Sequence, residues 1–473
     1  MTVGASRSIG DLPGPPALPL LGNLHQLRQD RMHLTLEEWC RRYGPIFRVK
    51  AGRDPLVVIG DAEAINEVLR DRPQGYRRPD RLREVFKDMT SPAFAEEEFR
   101  PGVFVAEGDH WKRQRRLVVT ALNTNHLHRY FGVVQTATER LHRRLRAAAR
   151  EGRTLRISHE LTSFTVDVTT ALAFGQDLNT LEHGDGELQR HIQRVFRMTA
   201  RRFFTPVSYW KWVRLPEDRA LDRSLEEMYR AIDEFIERGK ARLAARPELL
   251  DSPENLLDAL LAAQAADDSI GDQEVVYNVT TLLLAGEDTT AHTLGWTVWL
   301  LASRPDVQRR LSAEAARVFG GEPLATAYET TEQLGYAEAV LRESMRLKSV
   351  VPLMGLEPIG DEVIRGTRVP AGTQLLLLLR HAGHGSDPRS EEFHPERWLE
   401  DSEETRAPRS LGFGAGPRFC PGRNLAFLEA KAVLAMIACN FELELADSTA
   451  AVREQFGFTM VPRGLRVRLR ERA

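Results

Sequence analysis

Cysteine is scarce in this sequence: Cys40, Cys420 and Cys439 are the only three among 473 residues. They form no C-x-x-C pair and no even-numbered set, so a disulfide framework is not expected and a reducing compartment is. Long hydrophobic runs are missing too. No window of about 18 uninterrupted apolar residues occurs, so no membrane-spanning helix is expected. The opening stretch MTVGASRSIGDLPGPPALPLLGNL has no charged start followed by a long apolar core, so a secretory leader is not expected either. Neither sign of charge dominates, and a net charge of -2 gives no case for nucleic-acid binding. No Ser/Gly/Pro-rich linker, low-complexity tract or repeat divides the chain. The expectation is therefore one globular unit over residues 1–473, opened by an extended proline-rich segment over 1–24, soluble, cytoplasmic and monomeric.

What is present can build a core, since 42% of the residues are hydrophobic and 28% charged. IFRVKAG and PLVVIGD read as two short strands joined at Gly52 to Asp54. From Asp61, a plausible N-cap for AEAINEVLRD, to about Leu250 the pattern is mainly helical. A strand-rich patch lies at 362–379, with turns at Gly366 and at Ala371 to Gly372, and FTMVPRGLRVRLR alternates as a C-terminal hairpin would. The fold class expected is mainly α with small β-sheets. The longest helix candidate runs from Asp272 to Ser303, capped by Ser269 with Asp272 as its box partner and ended by Arg304-Pro305. Its apolar character is nearly continuous, as in a buried central helix.

Within that helix AGEDTT, Ala285 to Thr290, replaces good helix formers. A Thr hydroxyl can bond the carbonyl four residues back, that of Ala285, and open or bend the ladder into a local groove. Cys420 stands in FGAGPRFCPGRNLA, on a glycine-rich turn before a helical run, where free N–H groups and the positive dipole end favour a thiolate. Such a thiolate is a metal ligand or a nucleophile. A nucleophile wants a His base, which this segment does not place although distant His residues leave it open, and zinc wants more ligands. A single thiolate with room beyond it suits an axial ligand to haem iron, and the glycines let a flat macrocycle approach. Cys40 and Cys439 sit inside helical patterns and read as core packing.

FGAGPRFCPG resembles the haem-binding signature of the cytochrome P450 monooxygenases, F-x-x-G-x-R-x-C-x-G, with Phe413, Gly416, Arg418, Cys420 and Gly422 in the defining places. AGEDTT, the ESMR of Glu343 to Arg346, the FHPERW of Phe393 to Trp398 and the HWKRQRR of His110 to Arg116 occur in the family's order. The resemblance implies the cytochrome P450 fold with a long central helix over haem b, iron bound by Cys420, and the cofactor flanked by Ala285, Phe413 and Gly422. It implies propionate contacts from Trp111, Arg115 and Arg418, and a structural cluster of Glu343, Arg346 and Arg397. By the same resemblance Thr289 holds the oxygen ligand and its water, and Asp288 relays protons. A soluble, bacterial-type member is expected.

One departure is visible. Where the family often has a propionate-binding Arg, this chain reads VPLMGLEP, with Leu356; Arg380 and His381 are the candidates to replace it. The segment GSDPRSEEFH before PERW is also short for the family. The reaction implied inserts one oxygen atom of O2 into an apolar small molecule, a fatty acid, terpenoid or steroid, with electrons from a separate ferredoxin or flavodoxin and its reductase. A peroxide-driven peroxygenase, a rearrangement catalyst and a non-turnover haem sensor are the rivals, and the intact Asp288-Thr289 pair argues against them. Substrate contacts map to Tyr76 to Val105, His191 to Trp212, Leu283 and Ala285, Val350 to Leu353, and Phe456 to Met460. Arg201 and Arg202 read as a solvated helix face rather than a carboxylate anchor. Lys112, Arg113, Arg116, Arg423 and Lys431 read as a cationic docking face.

Overall fold

The computed structural model describes residues 7–472 apart from 53, 92, 93, 95, 185, 206, 268, 269, 385–387 and 400–409. Helix dominates. The strands are β1 (Ile46–Ala51), β2 (Asp54–Ile59), β3 (Tyr76–Arg77), β4 (Leu353–Pro358), β5 (Glu362–Ile364), β6 (Thr367–Val369), β7 (Gln374–Leu378), β8 (Phe441–Leu445), β9 (Arg453–Phe456), β10 (Met460–Arg463) and β11 (Val467–Glu471). β1 and β2 make a hairpin with Ala51 opposite Asp54, turned at Gly52 in the left-handed region (φ +69°). β2 continues parallel to β7, and the sheet closes in the order β1-β2-β7-β4-β3. β5 and β6 form a second hairpin about Gly366.

The C-terminal alternation marks strands correctly but not their partners. β10 pairs with β9 and β11 with β8, so FTMVPRGLRVRLR is not a hairpin. Burial separates them: Val467 and Leu469 enter the main helical core, while Met460 packs with Phe47, Trp296 and Phe456.

Asp61 caps the helix Ala62–Arg70, its carboxylate accepting from Ala64 N at 2.7 Å. The central helix spans Asp272–Ala302, but its cap differs from the expected one. Gly271 N donates to Glu274 at 3.1 Å, and Asp272 instead accepts from the Gln264 amide at 2.9 Å. Ser269 lies outside the described residues. The helix is continuous through AGEDTT, so no break opens there. Gly286 serves packing: a Cβ on it would stand 2.7 Å from the Thr169 hydroxyl on helix Ile157–Phe174, so only glycine lets the two helices meet this closely.

Leu294 and Val298 of the central helix, Leu161 and Phe164 of its neighbour, and Leu428, Val433 and Ile437 of helix Arg423–Asn440 share the largest core. Cys40 is buried beside Leu36 and Phe47, and Cys439 packs on the main core. Among the described residues no helix is long and apolar enough to cross a membrane.

Candidate functional site

The loop before helix Arg423–Asn440 is folded by its glycines. Gly414 and Gly416 both take positive φ, +71° and +68°, and Phe419 N donates to Gly416 O at 3.2 Å. A Cβ on Gly416 would lie 2.3 Å from Leu69 O, so the loop is seated directly on the end of helix Ala62–Arg70. Cys420 N donates to Phe413 O at 2.9 Å, and the Phe413 ring stands 5.4 Å from Phe427. Gly422 caps the following helix beside the Cys420 sulfur. Burial pushes the Cys420 thiol up, while the N–H groups of Gly422 and Arg423 and the Arg115 guanidinium act the other way. The stabilising donors are visible in the sequence, but the larger desolvation is not.

Helix Gly108–Ala121 supplies the opposite flank of that loop. Trp111 is buried with the Arg418 guanidinium 4.8 Å from its ring centre, and Arg115 lies 4.6 Å from the Phe419 ring. Arg418 also donates to Ala106 O and to the Glu107 carboxylate. Trp111, Arg115, Arg418 and Cys420 are thus brought together. Arg113 and Arg116 are exposed and Lys112 pairs with Asp109 at 2.8 Å. Lys431 does not belong with them: it is buried and paired with Glu338 at 3.5 Å, because its helix is covered along that side.

On the central helix Thr281, Leu284, Ala285, Asp288 and Thr289 are incompletely covered, whereas Leu283, Glu287, Thr290 and Ala291 are buried. Spacings of three and four place the first five on one stripe. An open stripe on a core helix is room for a ligand. Thr289 Oγ1 donates to Ala285 O at 2.8 Å. Asp288 stands 4.0 Å from His292 Nε2, and His292 Nδ1 lies 3.1 Å from the Thr459 hydroxyl. Burial lowers the pKa of His292 and the Asp288 carboxylate raises it. The AGEDTT motif stops short of His292, whose spacing of four from Asp288 is the one signal of it in the sequence.

Glu343 is fully buried and saturated with donors. Arg346 reaches both oxygens at 2.7 and 2.8 Å, Arg397 donates at 3.0 Å, Trp398 Nε1 at 2.9 Å and His394 N at 3.1 Å. Of the two candidates to stand in for an arginine at position 356, Arg380 is already engaged. Arg380 binds both oxygens of Glu37 and donates to Glu454 at 2.8 Å, and Glu454 also meets His33 at 2.8 Å and Lys348. His381 packs against Gly60. Arg202 is no solvated side chain: it is fully buried, 3.2 Å from Asp218, under Trp210. Arg201 pairs with Glu217.

An apolar cavity lies beside the open stripe, lined among others by Phe86, Met89, Val105, Val195, Met228 and Leu284. It joins three of the substrate regions expected from the sequence and adds helix Pro216–Ala245, which lies outside them. Phe458 reaches towards the same place, 6.2 Å from Phe104 and 5.7 Å from Phe196.

These residues fit a haem. One cysteine stands on a closely seated loop, with arginines and a buried indole beside it, and Arg72 nearby is a buried guanidinium with two nitrogens lacking a partner. Among the described residues no three His, Cys, Asp or Glu side chains cluster as a zinc cage would require.

Comparison with known proteins points the same way. The chain is 26% identical over 458 residues to the Arabidopsis thaliana protein LUTEIN DEFICIENT 5, chloroplastic, covering 93% of this chain and 74% of the relative. It is 26% identical to cytochrome P450 3A6 of Oryctolagus cuniculus, covering 95% and 88%, and 28% identical to cytochrome P450 71A23 of Arabidopsis thaliana, covering 95% and 92%. These are plant and mammalian proteins, so the expectation of a bacterial-type member lacks support. The Cytochrome P450 family model matches residues 12–469. The mainly helical fold with small sheets, the cysteine loop and this match together place the chain in the cytochrome P450 family of haem-thiolate monooxygenases.

Proposed function

We propose that this chain, a single haem domain, oxygenates an apolar small molecule of the fatty acid, terpenoid or steroid class, with Cys420 as the thiolate ligand. The observation that carries the substrate class is the cavity beside the open stripe. It has no charged residue in its lining, and four of its five hydroxyls are engaged: Thr199, Thr280 and Thr281 bond carbonyls of their own helices at 2.6 to 2.8 Å, and Tyr229 bonds Met89 O at 3.0 Å, which leaves the Tyr277 hydroxyl. A ligand there finds apolar surface and few free polar partners. The free volume is only about 40 Å³, so entry requires the lining segments to part.

When bound, haem supplies reductive activation of O2, which the thiolate favours by donating electron density. The chain's own part is to handle protons and exclude water. Thr289 presents its hydroxyl on the open stripe, Asp288 carries protons towards it, and the apolar lining keeps bulk solvent from the reacting carbon. Electrons come from a separate ferredoxin or flavodoxin, for which Arg113 and Arg116 offer exposed positive charge. We place the protein in the cytoplasm, acting as a monomer.

The test is a library of fatty acids, terpenoids and steroids titrated against the purified protein, with the Soret band as readout. Displacement of iron-bound water by members of one class, followed by oxygenated product on adding a surrogate redox pair and NADPH, is the expected outcome. Binding only of charged or strongly polar compounds would overturn the substrate class, and peroxide-only turnover would favour a peroxygenase.

A further inference from the structure

Arg72 follows helix Ala62–Arg70 on the way into β3 and is 2% exposed. Its Nε and Nη2 have no hydrogen-bond partner, and Nη1 reaches only the Met354 sulfur at 3.8 Å. A thioether is a poor acceptor, and a guanidinium stays charged in a protein. Burying such a group with most donors unmet is costly unless an anion completes it.

Its surroundings say which anion. Met354 and Leu356 are two apart on β4, so their side chains share one face of the strand. The Arg72 guanidinium therefore lies on the face from which an arginine at 356 would project. Arg418 and Glu107 are close enough to act on Arg72, and burial with Arg418 lowers its pKa to about 10. Arg78 joins them: its backbone N–H donates to Glu107 at 3.0 Å, its guanidinium lies 3.9 Å from the Phe104 ring, and Arg72, Arg418 and Glu107 all act on its charge. Three guanidinium groups meet one carboxylate here, and Arg115 acts on Arg418 from the neighbouring helix, so this buried place holds an excess of positive charge. A haem carries two propionates.

We propose that Arg72 binds a haem propionate in place of the arginine that position 356 does not supply, with Arg78 and Arg418 completing the cationic cradle. The proposal rests on the haem-thiolate reading above. Propionate carboxylates would offset that excess and meet the free Arg72 donors in fork geometry. Leu356 has no donor to offer such a group, and Arg380 is held by Glu37 and Glu454.

The experiment compares holoenzymes of the parent, Arg72→Leu, Arg72→Lys and the double variant Arg72→Leu/Leu356→Arg. Haem transfer to excess apomyoglobin is followed by the Soret band, and the propionate bending modes are read by resonance Raman. Arg72→Leu is expected to release haem about 10- to 100-fold faster, the scale of one charge-assisted hydrogen bond. Arg72→Lys should fall between, and restoring the guanidinium at 356 should recover retention. Should Arg72→Leu yield no holoenzyme, Arg72→Lys decides by itself: parental propionate modes and haem loss would overturn the proposal. So would parental haem loss in Arg72→Leu, or equally rapid loss in the double variant, which marks a packing role. The reduced carbon-monoxide band near 450 nm, about where thiolate ligation puts it, is recorded throughout. Its presence with unchanged haem loss rejects Arg72 alone, whereas its absence from the parent rejects the haem-thiolate reading.

Discussion

The Thr289 hydroxyl donates to the Ala285 carbonyl at 2.8 Å while both residues lie on an incompletely covered stripe of the central helix. The helix is unbroken around them, so the hydroxyl's acceptor role stays available for an incoming donor. Thr289→Ala should still bind substrate and take up electrons, yet divert reducing equivalents to hydrogen peroxide. Product formed per NADPH, measured beside peroxide release, should drop by a factor within about 10² to 10⁴, and Thr289→Ser should restore much of it. Parental coupling in the Ala variant would leave Thr289 only a packing role.

Cys420→Ala should abolish the reduced carbon-monoxide band near 450 nm, because about that position requires a thiolate opposite the gas. Cys40→Ala and Cys439→Ala should keep it, since both side chains pack in cores away from the loop. Retention of the band without Cys420 would refute its assignment as ligand.

Glu429 offers a pH test. It is buried in helix Arg423–Asn440, and burial lifts its carboxyl from 4.5 to about 8. A raised folded-state pKa means the folded chain holds the proton more tightly than the unfolded one. This contribution to stability is fully present below 4.5 and lost as pH rises towards 8. Glu429→Gln should therefore gain in denaturant midpoint over the parent from about pH 5 to about pH 8 and level off above. A difference between the two proteins that is flat with pH would show that Glu429 is ionised in the fold.

Charge reversal at Arg113 and Arg116 should slow reduction by an acidic ferredoxin or flavodoxin, most at low salt, and leave substrate affinity unchanged. Lys431→Glu is not an equivalent probe. It would bury a carboxylate beside Glu338 and lower stability instead. Stopped-flow reduction at two ionic strengths distinguishes these cases. Equal rates at low salt would remove this surface from consideration.

Local chemistry is legible in the sequence wherever neighbours in the chain are neighbours in space. The Asp61 cap, the Gly52 and Gly366 turns and the three-residue spacing of Glu343 and Arg346 need no distant information. Partners at long range are not legible. Alternation in FTMVPRGLRVRLR fixes which side chains share a face, but β8 and β9, which receive the two strands, are chosen by separate cores. Arg202 and Lys431 look like surface charge in any window of sequence, and only Asp218 and Glu338 on other helices make their burial tolerable. Arg72 stands in RDRPQGYRRPDR, whose charge density reads as solvated; its neighbour in space, Met354, is 282 residues away.

The knot of charge around Arg380 bears on how the chain is made. Glu37 precedes Arg380 by 343 residues, so it waits for its bidentate partner through most of synthesis, and Glu454, the second acid on Arg380, emerges later still. Until Arg380 is made, Glu37 has no guanidinium to be buried against. Co-translational burial of Glu37 thus remains provisional, and final locking waits until Arg380 and Glu454 have both emerged. Clipping the chain before Arg453 would remove Glu454 and leave the Arg380 and His33 side chains without it, turning the removal of a few terminal strands into a failure at the opposite end of the polypeptide.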